Sequence, residues 1–159
     1  VNIIAIDPGT THSAWVLYSP EDRRILNYAY RENGEVVDAL AKCNGDDATM
    51  VIEMVANYGM PSGAEIFETC IWIGKFEAAW KGRRDRIFRA TVKTHLCGTP
   101  RAKDPNVRQA LLDRWGGKLA ALGTAKSPGP LKGITGDLWS SLAIAVVYAD
   151  IKGKELAAA

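Results

Sequence analysis

Two short, mostly apolar runs in this chain each stop on an acid. Val1-Asn2-Ile3-Ile4-Ala5-Ile6 ends at Asp7, and Pro8-Gly9-Thr10-Thr11 follows at once. Met50-Val51-Ile52 ends at Glu53. Continuous β-branched runs of this length read as strands covered on both faces. A third carboxylate, Asp137, opens a long apolar segment that runs through Leu142, Ala143, Ile144 and Ala145 to Val147. A carboxylate at the end of a buried strand is costly unless a cation or partner meets it. Acids on two strand ends and one helix start are what a divalent-metal cleft needs. Hard cations such as Mg²⁺ take oxygen ligands and usually keep water or phosphate in the rest of their shell.

The pattern along the chain gives a mixed α/β order. Residues 1–7, 13–18 and 24–31 read as three strands joined by turns at Pro8-Gly9 and Pro20-Glu21-Asp22. Residues 35–43 form a short helix, stopped by Asn44-Gly45-Asp46-Asp47, and residues 50–53 a buried strand beside the first. Ser62-Gly63-Ala64-Glu65 matches a capping box and starts a helix that ends near Gly82. Residues 86–92 are expected to be a fifth strand. Asp104-Pro105 reads as an N-cap followed by proline in the first turn, opening a helix to Trp115. Residues 116–133, rich in Gly, Pro, Lys and Ser, are expected to form a mobile loop. A largely buried helix over 137–151 closes the order. Three meandering strands followed by strands alternating with helices predict one mixed five-stranded sheet with helices on both faces. A single domain over 1–155 is expected, with 156–159 a possible appended tail.

Charge is unevenly spread. The chain of 159 residues carries a net charge of only +2, yet residues 75–132 hold 14 Lys and Arg against 4 acids. A basic middle beside an acidic remainder suggests a face for a polyanion. Cys43, Cys70 and Cys97 are odd in number and widely spaced, as expected of reduced thiols in the cytoplasm. Two histidines, His12 and His95, are too few for a histidine-rich metal site. No apolar run approaches 18 residues and no secretory leader pattern is seen, so neither membrane spanning nor secretion is expected.

Four segments together carry a family resemblance. Ile6-Asp7-Pro8-Gly9-Thr10, Val51-Ile52-Glu53, Gly98-Thr99-Pro100-Arg101-Ala102-Lys103, and Asp137 with Leu142-Ala143-Ile144-Ala145 follow in the right order and spacing. The chain resembles the RuvC family of Holliday junction resolvases, within the RNase H-like fold. The wording around Arg101-Ala102-Lys103-Asp104 is similar to the phage and prophage branch. The resemblance implies a homodimer that nicks two strands of a four-way DNA junction symmetrically. It implies two divalent ions per site, Mg²⁺ with Mn²⁺ as a substitute, held by Asp7, Glu53 and Asp137. Two ions roughly 3.5–4 Å apart serve both the attacking and the leaving oxygen of an in-line displacement. One position departs from the family pattern. A second acid usually follows the helix-start acid by three residues, and Ser140 stands there. Serine is a poor metal ligand, although it can hold a metal-bound water.

Other residues are read as DNA contacts. Lys103 and Arg101 are placed near the scissile strand, with Lys103 the better candidate to offset transition-state charge. Lys93 is a comparable contact, and the run Arg83, Arg84, Arg86 and Arg89 suits a duplex arm. Thr10, Thr11 and the amides around Gly9 are placed near phosphate. Tyr58, in the loop after Glu53, matches by position an aromatic that the family wedges between bases. The five tryptophans read as core or dimer interface, and the helix over 62–81 as a possible part of that interface.

Three rival readings have definite discriminators. Actin-type and sugar-kinase folds also begin with a strand, an acid, Gly and Thr, but they need a second domain closing over ATP. A non-catalytic branched-DNA-binding protein would keep the basic face and lose metal affinity at Ser140. A nuclease acting on flaps or replication forks would share the same acids.

Overall fold

The computed structural model describes residues 1–158. Its centre is β1 (Asn2–Asp7), flanked by β2 (His12–Ser19) on one side and β4 (Ala48–Met54) on the other. β3 (Arg24–Glu32) lies outside β2, and β5 (Arg84–Phe88) outside β4, in the order β3-β2-β1-β4-β5. The β1–β2 and β2–β3 pairs are antiparallel, and the β1–β4 and β4–β5 pairs are parallel. This is the expected mixed sheet.

Helices cover both faces, which explains why the central strands carry few polar residues. Alternate side chains point to opposite faces. Ile3, Ala5, Ala14, Val16 and Val51 face α6 (Leu138–Ala158). On that side lie also α3 (Arg89–Cys97), α4 (Asp104–Arg114) and the short α5 (Lys118–Leu122). Ile6, Met50 and Ile52 face α1 (Asn33–Lys42) and α2 (Ala64–Ala79), where Leu40, Ile73, Phe76 and Trp80 complete a second core. α6 is buried without a break from Ser141 to Val147, so it is a spine rather than an amphipathic cover. All five tryptophans are buried or half-buried. Among the described residues no helix is long and apolar enough to cross a membrane, and all three cysteines are free.

Several local expectations are corrected. β5 stops at Phe88, and α3 replaces the second half of the strand expected over 86–92. Thr91 and Val92 favour strand locally, but Val92 and Leu96, four apart, pack as a helical pair in the α6 core. Ser62 does not cap α2. Gly63 is the N-cap, and the Ser62 hydroxyl instead accepts a hydrogen bond from the Asn57 amide at 3.1 Å. Asp104 lies inside α4, whose N-cap is Lys103, with the Asn106 side chain accepting the Lys103 N–H at 2.9 Å. Residues 116–133 are not a structureless loop. α5 and a bridge between Gly123 and Pro128 order them, and Ala121 and Leu131 are fully buried. The final helix runs well past residue 151, to Ala158, and takes in most of the expected tail; Ala159 lies outside the described residues.

Candidate active site

The parallel pairing of β1 with β4 sets Ile6 beside Ile52, so Asp7 and Glu53 are the next residues of adjacent strands. Both share the sheet face of Ala5 and Val51, the face covered by α6. Asp137 immediately precedes α6, and Ser140 lies three residues on, in the same helical turn. The register of two strands and the start of one helix thus bring together residues far apart in sequence.

A buried polar triangle fixes the turn after Asp7. The Ser13 hydroxyl donates to Asn33 Oδ1 at 2.6 Å, Asn33 Nδ2 donates to the Gly9 carbonyl at 2.9 Å, and the Gly9 N–H donates to Ser13 Oγ at 3.2 Å. The Asn33 N–H also reaches the Thr11 carbonyl. Ser13 and Asn33 are both 1% exposed. Position 9 must be glycine, because a Cβ there would run into the His12 carbonyl oxygen.

The acids strain one another. Burial first, then Glu53 and Asp137, push Asp7 up to about 7, against the opposing pull of Arg89 and the Ser140 hydroxyl. Burial also raises Glu53, although Arg89 and Lys93 act against it. Arg89, expected within a basic run facing a duplex arm, instead lies against the acids. Its guanidinium pairs with Glu53 at 3.3 Å and with Asp104 at 2.5 Å. Burial works against its charge, but Glu53, Asp104 and Asp7 hold it above its ordinary value. Arg89 opens α3 directly after β5, whose Ile87 pairs with Glu53, and that placement brings its guanidinium to the acids.

A cleft of about 390 Å³ opens here, lined by Glu53, Arg89, Lys93, Asp104, Asp137 and Ser140 among others. Arg108, also on its wall, lies 5.0 Å over the Trp139 ring. Lys93 reaches the cleft from α3, not from a strand end. Lys103 and Arg101 are exposed beside the start of α4. Thr10 sits in the β1–β2 turn. Tyr58 is 72% exposed at a positive φ of 48° in the loop after β4. Arg83 and Arg84 lie elsewhere. Arg84 pairs with Met50, four rungs from the Met54–Phe88 end of β4 and β5, or about 13 Å away. Arg86 turns to Glu77 on α2, at 2.6 Å.

The donor set of carboxylate and hydroxyl oxygens suits a hard divalent cation. Burial first, and then the neighbouring acids, disfavour the charged form of Asp7, a cost that such a cation would relieve. Among the described residues no three of His, Cys, Asp and Glu are gathered tightly enough to enclose an ion. The Arg89 pairing is consistent with that, since it turns Glu53 toward a protein cation.

No protein-family model matches this chain, and no curated protein matches it. Its architecture is nevertheless that of the RNase H-like fold: three antiparallel strands, two further parallel strands, and helices on both faces. Among solved structures it is similar to RuvC of Thermus thermophilus, at 18% identity and a TM-score of 0.67, covering 98% of this chain and 97% of that one. It is also similar to T. thermophilus RuvC in complex with Holliday junction substrate, at 16% identity and a TM-score of 0.65, covering 97% and 96%.

Proposed function

We propose that the chain is a divalent-metal-dependent endonuclease that resolves four-way DNA junctions by paired symmetric nicks. The observation that carries this reading is that Glu53 and Asp137 line one cleft, while Asp7, at the end of the strand next to that of Glu53, is driven to about 7 by burial and by those two acids. The likeness in fold to RuvC along nearly the whole chain supports the choice of substrate.

Asp7, Glu53 and Asp137 would hold Mg²⁺ or Mn²⁺, two ions per site, with Ser140 completing the rim. When bound, the ions supply Lewis-acid assistance to water attack and to departure of the 3′-oxygen. The remaining work falls to the chain itself. Lys93 and Lys103 offset phosphate charge at the cleft mouth, and Arg101 and Thr10 position the strand backbone. Tyr58, exposed in the loop that follows β4, would unstack a base. Arg83 and Arg84 would meet only a distant arm. Two such sites require a homodimer, and the outward Phe67 and Ile71, four apart on α2, offer an apolar stripe for it. The free thiols suit action in the cytoplasm.

The test is cleavage of a labelled immobile four-way junction in Mg²⁺ or Mn²⁺, with linear duplex and Asp7→Asn as controls. Paired nicks that need both metal and Asp7 are expected. Cutting retained by Asp7→Asn would sink the assignment. A second reading, a branched-DNA-binding protein without cleavage, is favoured by Ser140 and by the Arg89 hold on Glu53. Tight metal-independent binding without nicks would select it, and cutting of flaps in preference to junctions would redirect the substrate.

A further inference from the structure

The rung that carries Asp7 continues outward across the sheet. Asp7 pairs with Ala14 on β2, and Ala14 pairs with Tyr30 on β3. Residues opposite one another across an antiparallel pair point to the same face. Asp7, Ala14 and Tyr30 therefore share the α6 face, with Tyr30 two strand spacings, about 10 Å, from Asp7. Ala14 between them is fully buried and short. Tyr30 is 51% exposed.

This ring is part of a flat surface. The His12 imidazole stacks on it with centroids 5.3 Å apart and planes inclined by 18°. The Thr11 hydroxyl meets His12 Nδ1 at 3.1 Å and fixes the imidazole. Tyr28 lies on the same face two residues back, and its hydroxyl approaches Gly133 so closely that a Cβ there would strike it. That contact braces β3 against the loop that leads to Asp137. Lys132, exposed beside Gly133, adds positive charge.

We propose that Tyr30 and His12 form a stacking platform for a nucleobase of the cleaved DNA strand, next to the scissile phosphate. This rests on the nuclease reading above and deepens it. Aromatic faces bind bases with little regard to sequence, since every base has a π-face. Tyr30 is exposed on the outermost strand and His12, stacked on it, is half-buried, so the pair offers an aromatic face open to a ligand. The occupant here is set by continuity with the acid cleft, on the same rung and face, and by the adjacent lysine. The platform differs in place from Tyr58, which follows β4 rather than β2 and β3.

The experiment places 2-aminopurine at successive positions of one junction strand and measures its fluorescence on binding, in EDTA so that nothing is cut. The parent protein is expected to quench one register strongly. Tyr30→Ala should abolish that quenching and weaken binding roughly tenfold, the stacking contribution of one base. Tyr30→Phe should retain both, because the ring and not the hydroxyl is required. Thermal melts of both variants control for folding, and His12→Ala gives an independent disturbance of the same stack. Unchanged quenching and affinity in Tyr30→Ala and His12→Ala, with a parent that binds junctions, would overturn the platform alone. A parent that binds no branched DNA would overturn both the platform and the function it rests on.

Discussion

Asp7 is the residue whose chemistry reports most on the site. Burial and its acidic neighbours push its folded pKa up to about 7, against an ordinary value of 3.8. Between those values the folded state holds a proton that the unfolded state has lost. Stability without metal therefore falls as pH rises from about 4 through 7, and the loss is complete above the folded value. At 1.36 kcal/mol per unit, a cost of about 2–4 kcal/mol is expected near pH 8. Thermal melts at pH 5 and pH 8 should show it, and Asp7→Asn should flatten the pH slope and melt higher than the parent at pH 8. A parent with no such slope would place Asp7 in a more solvated setting. Arg89 is the complementary case. Arg89→Ala leaves Glu53 and Asp104 without their shared cation and is expected to destabilise the metal-free protein by about 1–2 kcal/mol, discounted for the exposure of the pair. Added Mn²⁺ should raise the melting temperature of Arg89→Ala more than that of the parent, because the ion then replaces a missing charge. An equal shift in both would separate Arg89 from the proposed metal site.

At the level of elements, the strands and their order were legible while the caps were not. The first and fourth strands declare themselves by continuous apolar residues, since a strand covered on both faces has no alternation to show. β5 gives way to α3 within residues 86–92 despite their strand-like composition, because packing against α6 makes Val92 and Leu96 a helical pair. The Ser62 capping signal failed because Asn57 engages that hydroxyl. The acids were legible because each closes or opens an apolar run. Arg89 was not, because its partners lie 36 and 15 residues away. The Ser13–Asn33–Gly9 triangle was invisible for the same reason: it joins a turn, a strand and a helix start. Asn33→Ala leaves buried donors and acceptors unpaired and is expected to cost about 1–3 kcal/mol. It should also speed hydrogen exchange at Gly9 and Thr11, whereas unchanged exchange would show that the turn holds itself.

For the whole molecule, charge decides how DNA would lie. The basic middle of the chain divides in space: Lys93 lines the cleft, Arg101 and Lys103 lead into α4, whose first residue Asp104 also lines it, and Arg83 and Arg84 occupy the far end of β5. Junction affinity should fall steeply with salt, since each neutralised phosphate releases counterions. Replacing Lys93 and Lys103 together by Ala should reduce the slope of log affinity against log salt by about 2, and replacing Arg83 and Arg84 should change it less. A flat salt response would remove the basic face from the binding surface.

The three acids come from an early strand, a middle strand and the last helix. During synthesis, Asp7 and Glu53 leave the ribosome long before Asp137 and the spine that covers them. A partly made chain has neither the third carboxylate nor the buried floor that shifts the first. The cutting potential of such a protein would thus be withheld from its own nascent form and appear only on completion of folding.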